Sequence, residues 1–458
     1  MVLRRAEREA MANVDSAWLR MEDATNLMTI TGLMTFETPP DFARFKEVIE
    51  DRLMCHDRFR SKVVESLLPL GRPSWVEDDH FSLHAHLHRL ALPSPHNQAA
   101  LQELVSDLMS TPLDRSRPLW QMHLVENYGT GGALIIRLHH CIADGIALVR
   151  LLFSLTDEEA EPAPGQRAAG GEARGGGAKG RGVADYLLAQ GREVLLNPAR
   201  LAEMAESGAS FAHVVGELLS LPLDPKTVFK GRIGITKKAV WSGPVPLADV
   251  KAVGRAFGAT INDVLLAAAT GAMRYYMLSR GDDIEGRDVK AIIPVNLRPE
   301  EDLDDLGNRF GLVFVALPVG LAEPRRRLAE VHRRMDELKR SPQAGVAFSI
   351  LQLLGMAKPE LLALGVDLFG SKATLVMTNV PGPQKRLFVA GSRIENIMFW
   401  VPQSAHLGLG ISIFSYAGEV RMGLAVDAAL APDPERLVDH FHDEIEVLLQ
   451  ESRSAAAK

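Results

Sequence analysis

The chain has 458 residues, 47% hydrophobic and 24% charged, the balance of an ordinary folded protein with material for more than one layered unit. A formal charge of -7 leaves no basic excess to drive nucleic-acid binding. Two cysteines, Cys55 and Cys141, exclude a disulfide framework and a four-thiolate zinc site, and they favour a reducing, cytoplasmic setting.

At the N-terminus, Arg4, Arg5 and Arg8 are mixed with Glu7 and Glu9 and no apolar core follows, which is not a signal-peptide pattern. Helical spacing of Phe42, Phe45, Val48, Ile49 and Leu53 predicts a helix over Phe42–Cys55, and a second covers Ala99–Met109. Between them, His84, His86 and His88 alternate as on one face of a strand, read as a solvated or partly buried face and not a metal site. Strands are predicted at Gln121–Glu126 and Ala133–Leu138, the second running into two histidines and then a helix from Gly145 to Leu155. From Glu161 the sequence turns to Pro, Gly, Ala and isolated charges, too little to bury against its ordering entropy. It divides the chain into 1–160, a linker over 161–183, and 184–458.

In the second part a helix from Leu247 precedes another over Asn262–Leu278, followed by strands at Val289–Pro294 and Leu312–Leu317. A basic helix, Arg325–Arg340, reads as a solvated face or a surface for lipid headgroups or CoA phosphates, and Val346–Leu354 beside it is apolar. Strands near Ala373–Thr378 and Gly408–Ser415 close the series. Interleaved strands and helices predict a layered α/β fold with mixed sheets, and no Gly-rich phosphate loop marks a dinucleotide fold. No stretch of about 18 apolar residues predicts a membrane span.

The chemistry concentrates in His139-His140-Cys141-Ile142-Ala143-Asp144-Gly145. Successive side chains of a strand face opposite sides, so the two imidazoles share a cleft only if the chain turns there. Asp144 is suited to cap the following helix and Gly145 to let the backbone bend. An imidazole fixed at a strand end takes a proton from a hydroxyl near neutral pH. A buried structural histidine and a metal site with His140 and Asp144 as ligands are the rival readings, although no third ligand is evident. Cys141 beside His140 reads as a spacer, and Asn262 in Thr260-Ile261-Asn262-Asp263 fits a helix-capping box as well as a site role.

His-His-x-x-x-Asp-Gly is the signature of the chloramphenicol acetyltransferase-like superfamily. Further segments narrow the likeness: Val14-Asp15-Ser16-Ala17-Trp18-Leu19, Pro118-Leu119-Trp120, Asn262-Asp263, Pro294-Val295-Asn296-Leu297-Arg298, Gly307-Asn308-Arg309-Phe310-Gly311 and Thr378-Asn379-Val380-Pro381-Gly382-Pro383. Together, from about Asn13 to Leu449, they resemble the bacterial wax ester synthase/diacylglycerol acyltransferase family. The resemblance implies two similar α/β domains with a channel between them. It implies an O-acyltransferase moving a fatty acyl group from acyl-CoA to a long-chain alcohol or a diacylglycerol, with no cofactor and no metal. His140 would be the general base, with His139, Asp144 and Asn262 completing the catalytic set and Asn262 an oxyanion donor. Gly145, Pro118, Leu119, Trp120 and Arg298 would contact substrate, with Arg298 the first candidate to pair with Asp144. Peripheral attachment to a membrane or a lipid body fits such substrates. The alternative is a related acyltransferase, or a condensation-type enzyme acting on a non-lipid alcohol or amine.

Overall fold

The computed structural model describes residues 8–66, 71–161, 220–297, 308–339, 347, 350, 359–403 and 405–456. The linker after Glu161, Arg298, Arg340 and the stretch Val346–Leu354, apart from Ala347 and Ile350, lie outside the described residues.

The first part runs β1 (Arg8–Ala10), α1 (Asn13–Arg20), β2 (Thr29–Phe36), α2 (Phe42–Arg52), β3 (Ser61–Val64), β4 (Ser74–Glu77) and β5 (Leu87–Leu90). It continues through α3 (Gln98–Met109), β6 (Trp120–Tyr128), β7 (Gly131–His139) and α4 (Gly145–Ser154). The second begins with β8 (Lys237–Trp241), β9 (Val245–Pro246), α5 (Leu247–Phe257), α6 (Ile261–Ser279), β10 (Val289–Asn296) and β11 (Phe310–Leu317). There follow α7 (Pro324–Lys339), α8 (Pro359–Ser371), β12 (Leu375–Pro381), β13 (Phe388–Val389), β14 (Ser392–Trp400), β15 (Leu409–Tyr416), β16 (Glu419–Asp427) and α9 (Glu435–Ala456).

Two mixed sheets organise these elements. The first has the order β13-β14-β2-β7-β6-β5, and the second β11-β10-β12-β15-β16-β8 with β9 paired to β16. Strand β14 comes from the second part of the sequence yet pairs antiparallel with β2, from Ile394 opposite Phe36 to Trp400 opposite Thr31. One face of the first sheet packs on α2 and α4 through Phe45, Ile49, Leu148 and Leu151. Its other face meets α3 together with Trp241 and Ala425 of the second sheet, so this core joins both halves. Helices α5, α6, α7 and α9 cover the second sheet. Strand β2 had no alternating pattern to betray it because all eight of its residues are buried.

Local chemistry sets the helix ends. Thr260 and Asp263 exchange side-chain bonds at the start of α6, and Gly258 ends α5 with φ +68°, where a side chain would be strained. The three histidines do not share a strand: His84 lies in a short 3-10 turn, His86 caps it, and only His88 belongs to β5.

Much of the basic helix's charge is paired within the molecule, while Arg325 and Arg326 are exposed. Arg333 pairs with Glu330 and Glu337, Arg334 with Glu330 and Asp288, and Lys339 with Asp336. Arg327 is fully buried against Glu444 of α9, 2.5 Å away. Among the described residues, no single helix is long and apolar enough to cross a membrane.

Glu444 also explains Gly271 in α6: a Cβ there would stand 2.2 Å from the Glu444 carboxyl carbon. Replacing Arg327 by Met should strand that buried carboxylate and cost about 3–5 kcal/mol, read as a lower urea midpoint. The double change Arg327→Met/Glu444→Met should recover most of the loss. A single variant with a wild-type midpoint would show that the pair holds nothing.

Candidate active site

Strand β7 is buried along its whole length and carries the chain to His139. There the backbone turns: the His140 N–H donates to the Met28 carbonyl at 2.7 Å, and the Ile142 N–H to the His139 carbonyl at 3.0 Å. The two imidazoles consequently have different neighbours.

His139 is almost fully buried. Its Nδ1 accepts the Cys141 N–H at 3.1 Å, which leaves Nε2 to carry the ring hydrogen, and Nε2 stands 3.2 Å from Glu22 Oε2. Glu22 also takes the Met28 N–H at 3.0 Å and Arg115 at 2.9 Å. Burial alone would raise the Glu22 carboxyl, but its His139 and Arg115 partners outweigh that and hold it at about 2. His139 is thereby packed beside the Glu22–Arg115 ion pair.

His140 sits in an aromatic slot. Its ring stacks on Trp18 of α1, with centroids 4.3 Å apart and planes at 21°, and lies 5.5 Å from Phe310. Only 5% of the residue is exposed. Loss of water pushes the imidazole down to about 4, against the opposing pull of the Asp144 charge. The ring is therefore neutral at physiological pH; the Asn308 side chain stands near it, but the buried Nδ1 makes no hydrogen bond of good geometry among the described residues. A neutral imidazole with an unspent nitrogen is the state a general base needs. Burial moves the Cys141 thiol the other way, well above its usual range, which disqualifies it as a thiolate nucleophile.

Asp144 holds the turn. Its Oδ1 accepts the Ala147 N–H at 2.9 Å, capping α4, and its Oδ2 accepts the Arg309 N–H at 3.0 Å. One partner of Asp144 in the second part of the chain is thus a backbone amide at the head of β11. Arg298, expected to pair with Asp144, lies outside the described residues. Gly145 follows with open space where a Cβ would stand and without a positive φ, so the bend does not demand glycine as expected.

The segment Asn308-Arg309-Phe310 closes over the motif with three successive residues. The Asn308 side chain donates to the His140 carbonyl at 2.8 Å, Arg309 binds Asp144 through its N–H, and Phe310 packs against the His140 ring.

Asn262 lies in the first turn of α6 but is not needed for the cap, which Thr260 and Asp263 complete without it. Its Oδ1 accepts from Asn379 at the end of β12, 3.0 Å away, joining the Asn262-Asp263 and Asn379–Pro383 segments. The Pro118-Leu119-Trp120 triplet does not line an open passage: all three residues are buried, and Trp120 is completely enclosed. The Trp120 indole donates to the Phe59 carbonyl at 2.9 Å, while the Leu119 carbonyl accepts the His139 N–H at 3.0 Å. The triplet supports the histidine strand from behind. Site neighbours given no role from the sequence are Asp15, Trp18, Glu22, Arg58, Asn308 and Phe310. The available signal was that Asp15, Trp18, Asn308 and Phe310 stand in two of the segments that carry the family resemblance, whereas no local spacing marks Glu22 or Arg58.

Among the described residues no group of three or more His, Cys, Asp or Glu is placed to hold a metal ion. Two mixed sheets thus carry a histidine turn at the end of β7, locked by the head of a strand from the other sheet. The pattern of the wax ester synthase/diacylglycerol acyltransferase catalytic domain matches residues 11–265, and that of the family's C-terminal domain matches residues 306–449. The chain belongs to the wax ester synthase/diacylglycerol acyltransferase family. It is 29% identical over 451 residues to a probable diacylglycerol O-acyltransferase of Mycobacterium tuberculosis, covering 97% of this chain and 96% of that one. A wax ester synthase/diacylglycerol acyltransferase from Marinobacter aquaeolei superposes with a TM-score of 0.70 at 23% identity, over 97% of this chain and 99% of that one. The starter condensation domain of rhizomide synthetase, solved with C8-CoA, has a TM-score of 0.61 at 14% identity, over 97% of this chain and 94% of that one, and shares the fold.

Proposed function

We propose that this chain transfers a fatty acyl group from acyl-CoA to the hydroxyl of a long-chain alcohol or a diacylglycerol, with His140 as the base. The observation that carries the proposal is the His140 imidazole, kept neutral by burial between Trp18 and Phe310, with Nδ1 unspent. The base takes the hydroxyl proton as the oxygen attacks the thioester carbonyl. Collapse of the tetrahedral intermediate then expels CoA as the thiol, with the proton delivered to its sulfur. The leaving group is good enough that no acyl-enzyme is required. His139, bound to Glu22 and the Cys141 N–H, positions the turn and takes no proton in this scheme. Asn262 is the proposed donor to the developing oxyanion, since its partner Asn379 engages only the side-chain oxygen and leaves the NH2 group to donate.

The acyl tail needs an apolar place near the base. A narrow apolar cavity lies between α4 and the first sheet, lined by Gly32, Ile136, Val149, Leu152, Phe153 and Phe399 among others. Helix α4 starts at the catalytic turn, so the chain segment that caps on Asp144 also forms one wall of this cavity. We propose that part of the acyl tail lies against the mouth of this cavity. The absence of a side chain at Gly32 keeps it open: a Cβ there would meet Ile136 Cβ at 3.7 Å and Leu152 Cδ1 at 3.9 Å, ordinary contacts that the fold tolerates.

His140→Ala should lower kcat by at least ~10²-fold in a thiol-release assay with palmitoyl-CoA and either hexadecanol or dioleoylglycerol. Near-normal turnover would remove the base assignment. Gly32→Val should cut kcat/KM for palmitoyl-CoA relative to octanoyl-CoA by about 10-fold, the scale of one misplaced methylene in an apolar pocket. An unchanged chain-length ratio would place the tail elsewhere.

A further inference from the structure

Helix α1 sets a carboxylate behind the catalytic turn, and the transfer reaction gives it no task. Asp15 is completely buried. Its Oδ1 accepts the backbone N–H of Asn308 at 3.2 Å and the Asn308 side-chain amide at 2.8 Å. That same Nδ2 group also donates to the His140 carbonyl, 2.8 Å away. Arg58 stands 3.4 Å from Asp15 Oδ2 and donates to the Ile142 carbonyl at 2.7 Å. Asp15 thus reaches the backbone of the histidine turn at two points through intermediaries.

A side-chain amide has two orientations half a turn apart. In the one observed, the Asn308 NH2 group serves two oxygens, while Asn308 Oδ1 is buried and bonds nothing among the described residues. An ionised carboxylate only accepts, so it favours this orientation; a protonated carboxyl is also a donor, and the idle Oδ1 is an acceptor on the same side chain. Turning the amide to use it would set its oxygen against the His140 carbonyl oxygen. The two arrangements exclude each other.

We infer that Asp15 and Asn308 are a positioning pair for His140: ionised Asp15 orients the Asn308 amide to anchor the His140 carbonyl, and protonation of Asp15 releases that anchor. The inference rests on His140 being the base. The groups facing Asp15 are Arg58 and Asn308, which favour the carboxylate, and Asp144, which opposes it; the Cys141 thiol feels the Asp15 charge in turn. Burial outweighs the favourable partners and pushes the Asp15 carboxyl up to about 6, whereas His140 takes a proton only near 4. On acidification Asp15 is therefore protonated first. Above about pH 6 the pair is charged and the anchor holds. Between about 6 and about 4 the base is still neutral but loosely held, so kcat falls in a range where His140 itself does not titrate.

The test is the pH profile of kcat and KM for the full chain, measured by CoA release from palmitoyl-CoA with hexadecanol, for wild type, Asp15→Asn and Asn308→Ala. The wild-type acid limb should fall near pH 6. Asp15→Asn keeps a neutral acceptor oxygen and cannot titrate, so its limb should move down towards pH 4 with KM within about twofold. Asn308→Ala should lose kcat by on the order of tenfold or more at neutral pH, because a misplaced base costs at least that much, and should lose the limb at 6. A wild-type limb near 4 overturns the inference even if neither variant folds, and so does a limb at 6 that survives in Asp15→Asn. A His140→Ala chain that still turns over would instead sink the base assignment, a separate result from the same assay.

Discussion

A neutral imidazole can be kept in a dry slot only if the backbone around it finds hydrogen bonds without water, because an unpaired buried peptide group costs as much as a lost bond. The turn from His139 to Asp144 meets that demand with partners from far along the chain. Met28 accepts from the His140 amide, Asn308 donates to the His140 carbonyl, and Arg58 donates to the Ile142 carbonyl. The Asp144 carboxylate is shared between the start of α4 and the head of β11. These buried bonds tie the turn to distant segments, and the position of the His140 ring depends on them.

Adjacent histidines in this turn have opposite surroundings. His139 faces the Glu22 carboxylate, itself held by Arg115, and its second nitrogen is spent on the Cys141 amide. His140 faces two aromatic rings and has a nitrogen to spare. One ring is built into a polar frame and the other into an aromatic slot, a difference that follows from a single reversal of side-chain direction at the strand end.

The same turn links the halves of the molecule. Strand β14 leaves the second half to pair with β2, placing Trp400 and Met398 in the core that also holds Trp241 and Ala425. Segment 308–310 crosses in the same direction to grip the histidine motif. The turn is held from both halves, and α4, which starts at Gly145, runs on to form one wall of the apolar cavity against the first sheet.

Much was legible in the residues alone. Helices at Phe42–Arg52 and Gln98–Met109 and strands β6 and β7 lie close to where periodicity placed them, since each buries one face or ends at a polar cap. The histidine motif and the capping role of Asp144 were also readable, because they depend on neighbours within a few positions. Strand β2, the cross-over of β14, the enclosure of Trp120 and the Asp15–Asn308–His140 contacts were not. Each depends on groups tens to hundreds of residues apart, where no local spacing carries information. Local spacing was enough to single out His140 as the candidate base; its neutrality and the hydrogen bonds that hold its backbone came only with the packed chain, because desolvation depends on groups brought together from distant positions.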